Sequence, residues 1–134
     1  MTFQSVFENY LPLETLEKSL KTRNDEYAIP YPEVLAAVQI ATSKNIAILG
    51  VETFTVVTDA LQCDRFSGYS FELGEDWISF VQANNGQALQ EIAEAGHHSA
   101  TRFILTTASK SEYEELGSAQ FRAQLGLRPN DFKS

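Results

Sequence analysis

Cysteine is almost missing from this chain. Cys63 is the only one in 134 residues, so no internal disulfide can form and nothing points to an oxidising compartment. Histidine is nearly as scarce, with only His97 and His98 side by side. Adjacent ligands on a strand point apart, and no H-x-x-x-H or C-x-x-C pair is present, so a zinc site is not expected. Basic residues are few: 10 Lys and Arg stand against 18 Asp and Glu, for a net charge of −8. Recognition of DNA or RNA through phosphates needs a basic face, so no nucleic-acid partner is expected. Long apolar runs are missing too. No stretch approaches the roughly 20 residues of a spanning helix, and "MTFQSVFENYLPLE" has no basic n-region. No membrane association and a cytoplasmic location are expected. Gly-rich phosphate cradles and a G-x-S-x-G elbow are also lacking, which removes the usual signs of a nucleotide enzyme or serine hydrolase.

What is present suits one α+β domain over residues 1–134. The hydrophobic fraction is 43% and the aromatic fraction 11%, enough for a core without metal or disulfide. Charge is uneven along the chain. Residues 1–44 carry 6 acids and 4 bases, residues 45–101 carry 8 acids and only Arg65, and residues 102–134 carry 4 acids and 5 bases. Nearly all the excess is central, where it favours a cationic partner and speeds its encounter. A solvated face that serves only solubility is the plainer alternative.

Hydrophobic spacing outlines the elements. Phe3, Val6, Phe7, Tyr10, Leu13, Leu16 and Leu20 recur at helical spacing, with Pro12 opening a second helix. "RNDEYAIPYP" is expected to be a loop. "PEVLAAVQIATSK" is helical, with Val34, Leu35, Val38 and Ala41 on one side and Lys and Asn at its end. "NIAILGVETFTVVTD" is rich in β-branched residues and reads as strand, Gly50 marking a bulge or a close backbone approach. A second strand covers part of "QCDRFSGYSFEL", with a turn or bulge at Ser67 and Gly68. "GEDWISFVQANN" and "NGQALQEIAEAG" are helical with a possible kink at Asn84–Gly86, and Gly96 is the expected stop. "TRFILTTA" is a strand, and Ser109 with Glu112 has capping-box spacing for a last helix. The order predicts a small antiparallel or mixed sheet packed against several helices.

The stretch "CDRFSGYSFELGEDW" gathers the thiol, acids, aromatics and one arginine, as either an active site or a binding surface would. Cysteine catalysis needs a base beside Cys63, and a lone strand cysteine is more often a small buried apolar residue. Asp59, Asp64, Glu72 and Asp76 could form a divalent-ion site of a hydrolase, but Arg65 alone makes a poor substrate track. No catalytic, cofactor or metal residues are assigned.

"ILGVETFTVV", "SGYSFE", "DWISFVQANNGQAL" and "FILTTASKSEYEEL" together resemble the bacterial immunity proteins of polymorphic toxin systems, closest to the immunity protein 40 family. The resemblance runs from about Ile48 to Leu116. It implies a small, non-enzymatic cytoplasmic protein that binds a cognate toxin domain, generally encoded by an adjacent gene. A tight inhibitor needs aromatic or arginine anchors among charges. The expected partner-binding residues are therefore Asp59, Asp64, Arg65, Tyr69, Glu72, Glu75, Asp76 and Trp77, with core packing the competing role for Tyr69 and Trp77. A small enzyme based on Cys63 or an acidic metal cluster, and a general protein-binding adaptor, are the alternatives.

Overall fold

The computed structural model describes residues 6–22, 26–58, 60–68, 76–95 and 99–115. Its long central strand β3 (Ala47–Val57) is built from the β-branched run, because branched side chains pack well on a pleated surface. β3 is flanked by β4 (Ala60–Gly68) and β5 (Thr101–Ala108). Beyond β5 lie β2 (Tyr27–Pro30) and the two-residue β1 (Leu20–Lys21). The order is β1-β2-β5-β3-β4, with every pairing antiparallel. The fold is α+β, as the sequence predicts.

Two bulges bend the sheet where the sequence changes character. Against β5, Leu49 is the extra residue beside Gly50. Gly50 also answers to a close approach: a Cβ there would stand 2.9 Å from the Ser67 carbonyl oxygen. Against β4, Asp64 is the extra residue, between the Thr53↔Arg65 and Phe54↔Cys63 pairs. The Ser67–Gly68 dipeptide ends β4 in regular pairing, so the bulge lies four residues earlier than its glycine suggested.

Two long helices cover the sheet. Helix α2 (Glu33–Ser43) buries Val34, Ala37, Val38 and Ala41, and α3 (Trp77–Glu94) buries Trp77, Phe80, Val81, Asn84, Asn85, Ala88 and Ile92. The expected kink at Asn84–Gly86 is not there: α3 runs through unbroken. It spans two apolar clusters. Trp77, Phe80 and Val81 pack with Ala47, Leu49 and Ala108, while Ala88 and Ile92 pack with Ile29, Ile48, Val51, Phe103 and the buried side of α2. Each fully buried Ile or Val of this kind contributes about 1.5–3 kcal/mol.

The two asparagines lie between the clusters, and Asn85 is bonded across to α2 and β3. Its Oδ1 accepts from Ile48 N–H at 2.8 Å, and its Nδ2 donates to the Ile46 carbonyl at 3.0 Å and to Thr42 Oγ1 at 2.8 Å. A buried amide with these bonds made locks the helix to the α2–β3 turn. That turn is a Schellman closure. Ile46 N–H reaches the Ala41 carbonyl, Asn45 N–H reaches that of Thr42, and Asn45 takes the left-handed conformation at φ 58°.

The first third departs most from expectation. The chain parts at Pro12 as expected, but into a 3-10 helix (Val6–Tyr10) and a short α1 (Leu13–Lys18). Phe7 and Leu11 are buried but Tyr10, Leu13 and Leu20 are exposed, and Pro12 is the cap of α1 rather than its first turn. "YAIP", expected in a loop, is strand β2; Tyr31–Pro32 is a cis peptide. At the other end, Ser109 and Glu112 form the expected capping box. Ser109 N–H donates to Glu112 Oε1 at 2.8 Å and Glu112 N–H to Ser109 Oγ at 3.2 Å, opening α4 (110–115).

Candidate functional site

Four of the eight expected partner-binding residues, Asp64, Arg65, Asp76 and Trp77, are described; Asp59, Tyr69, Glu72 and Glu75 lie outside the described residues. The four are not equivalent. Trp77 is 7% exposed and stacks near Phe80 and Tyr113 at centroid distances of 5.3 and 5.7 Å. Its Nε1–H donates to the Asn45 carbonyl at 2.7 Å. The ring is core and cannot serve as a surface anchor, so the packing role holds for Trp77. Trp77 and Phe80 at helical spacing favoured the core but left the anchor role open.

Asp76 is exposed, but it is occupied as the cap of α3. Its carboxylate accepts from Ile78 N–H at 3.0 Å and from Ser79 Oγ at 2.7 Å. Those bonds, the Ser79 hydroxyl first, hold its carboxyl below the usual range. A contact with a partner would compete with this local role.

Arg65 points toward the helix. Its guanidinium meets Glu91 Oε2 at 2.7 Å, with side-chain exposures of 45% for Arg65 and 14% for Glu91. Ser67 Oγ donates to the same oxygen at 3.0 Å, and Gln87 Nε2 to Oε1 at 3.4 Å. Arg65 and Ser67 are two apart on β4, so the pleat puts both on one face, over α3. Glu91 thus braces the edge strand. It was missed as a site residue because its partners lie 24 and 26 positions away in sequence.

Asp64 remains as the free-standing surface acid of the four. It occupies the bulge, exposed, and accepts a hydrogen bond from the Thr55 hydroxyl. Beside it, Cys63 is exposed, not buried as expected of a lone strand cysteine. Partial desolvation against the sheet pushes its thiol up, and the Glu52 carboxylate pushes it further, with a smaller contribution from Asp64. A catalytic thiol needs the opposite environment, a positive neighbour that favours thiolate. Edge strand β4 therefore presents a solvent-facing run, 62–65, beside a locally negative field.

No three or more His, Cys, Asp and Glu side chains among the described residues are grouped as a metal ion would require. No described helix is long and apolar enough to cross a membrane. Comparison of the chain with family models, with curated proteins and with solved structures finds no match.

Proposed function

We propose that this chain is a bacterial immunity protein of the immunity protein 40 type, acting in the cytoplasm without catalysis. It neutralises a cognate toxin domain, encoded by an adjacent gene, by stoichiometric binding. The contact surface is the acidic edge of the sheet around β4 together with the segment that follows it. One observation carries this reading: exposed Asp64 and nearby Glu52 set a negative field around residues 62–65 of an edge strand, which adds to the partial burial that chiefly raises the Cys63 thiol. The same field disfavours a cysteine enzyme, because it stabilises the unreactive thiol. Within the described part of the surface, Asp64 is the recognition residue. Arg65 and Asp76 support it by bracing β4 and capping α3, and Trp77 supports it from the core.

The test pairs affinity with stability. Asp64→Lys should leave the melting transition within about 0.5 kcal/mol of the parent, as a surface change does. It should weaken toxin binding clearly, and the parent's association rate should fall as salt rises, because steering is screened beyond about 8 Å at physiological ionic strength. Surface plasmon resonance against the product of the neighbouring gene reads both. Unchanged affinity for the folded variant, with a salt-independent on-rate, would place recognition elsewhere on the molecule.

A further inference from the structure

The opposite half of the sheet holds a cleft that the toxin reading does not use. β2 pairs with β5 at Ile29↔Phe103 and Pro30↔Arg102, and then the strands part. The 3-10 helix Val6–Tyr10 lies against the opening. The cavity left between them has a volume of about 40 Å³. Phe7, Leu11 and Ile29 wall it, β5 residues 104–107 back it, and Tyr27, Glu8 and Glu26 complete the lining. An apolar sleeve with carboxylates is the environment that suits a long side chain with a cationic tip.

Glu26 is the informative group. Its backbone is fixed in the β1–β2 hairpin, where Thr22 N–H donates to the Glu26 carbonyl at 2.9 Å and Glu26 N–H donates to Thr22 Oγ1 at 3.2 Å. The carboxyl is partly buried and raised by desolvation alone, with no ion pair to any described residue. Among the described residues Lys21 forms no ion pair with it. Its Nζ lies 5.4 Å from the centroid of the Tyr27 ring, one of the residues that line the cleft. A desolvated carboxylate without a counter-charge costs stability unless something compensates it.

We infer that this cleft is a binding site for the cationic head of an arginine side chain from a partner protein, the head entering to meet Glu26 and the aliphatic stem staying at the mouth. The volume limits the occupant. A cavity of this size takes a few waters or one head group, not a nucleotide or a whole metabolite. The site lies between the 3-10 helix, β2 and β5, so it is separate from the surface around β4 and does not depend on the toxin reading.

The experiment is a 15N NMR titration of the whole chain with acetyl-Gly-Arg-Gly-amide, against the same peptide carrying citrulline, a neutral near-isostere. The arginine peptide should give saturable shifts confined to residues lining the cleft, and the citrulline peptide should not. Glu26→Gln should abolish those shifts, and Glu94→Gln, at an exposed acid on α3, should keep them. Equal shifts from the two peptides, shifts spread evenly over the acidic residues, or an unchanged titration of Glu26→Gln would each overturn the site. Tighter binding of free agmatine than of the peptide would overturn the assignment to a partner protein. The comparison of the two peptides uses only the parent chain, so it decides the matter even if a variant misfolds.

Discussion

The two halves of the sheet are built to different standards. β3, β4 and β5 share long ladders, with eight residue pairs in the β3–β4 register and eight in β3–β5. β1 and β2 are held by two pairs each, and packing from the 3-10 helix, α1 and α2 takes the place of ladder bonds. The well-laddered half is cross-tied by side chains from α3: Trp77 and Asn85 hold the α2–β3 turn, and Glu91 holds β4. The lightly laddered half leaves a cleft lined by a desolvated carboxylate that pairs with no described cation. Polar side-chain ties concentrate in one half, and the desolvated carboxylate of the other marks where a cationic ligand could still lower the free energy.

The comparison breaks most severely at Asn85. Asn85→Leu keeps the branched shape, with bulkier methyl tips, but strands the Ile48 N–H and Ile46 carbonyl in the interior. With about 1–3 kcal/mol for each buried orphan, the loss should be about 3 kcal/mol or more in a urea melt. A loss below about 1 kcal/mol would mean that the turn holds itself and α3 only rests on it. Glu91→Ala should cost less, about 1–2 kcal/mol, because Arg65 can turn to water. Its signature is local: faster amide exchange along β4 with β5 unchanged. Equal acceleration in both strands would show that Glu91 supports the whole sheet rather than its edge.

The smallest effect sharpens the other half. Burial raises the folded-state value of Glu26 above its ordinary 4.5. Above that raised value, ionisation costs more in the folded chain than in the unfolded one, so Glu26 subtracts stability. As pH falls through the folded value and then below 4.5, the penalty vanishes. Glu26→Gln should therefore melt slightly higher than the parent at neutral pH, with the gap closing as the solution is acidified through that window. A gap that is constant with pH would assign the gain to packing and not to charge.

Legibility in the sequence followed the same division. Composition alone was enough for β3 and β5, because both are rich in β-branched and aromatic residues, and the capping box at Ser109 was visible in its spacing. β1 and β2 were not legible. "YAIP" is short and contains a proline, and its strand state comes from neighbours distant in sequence, such as Phe103. Among site residues, Asp76 was rightly placed at the helix start, but only the structure shows its carboxylate bonded to Ile78 and Ser79. Trp77 could be core or anchor from sequence, since one aromatic at helical spacing fits both. Glu26 carried no signal at all, because a desolvated carboxylate looks like any other until the walls around it are known.

Trp77, the sole tryptophan, also has an optical consequence. Its indole is shielded from water and hydrogen-bonded to the α2–β3 turn, and it lies 5.7 Å from the ring of Tyr113 on α4. Its emission maximum therefore reports on solvent entry at one defined corner of the molecule. Excitation of tyrosine, with energy passed from Tyr113 to the indole, reports whether α4 is seated there. The chain thus carries its own two-channel fluorescence probe, one channel for the core and one for the docking of a single helix, with no label attached.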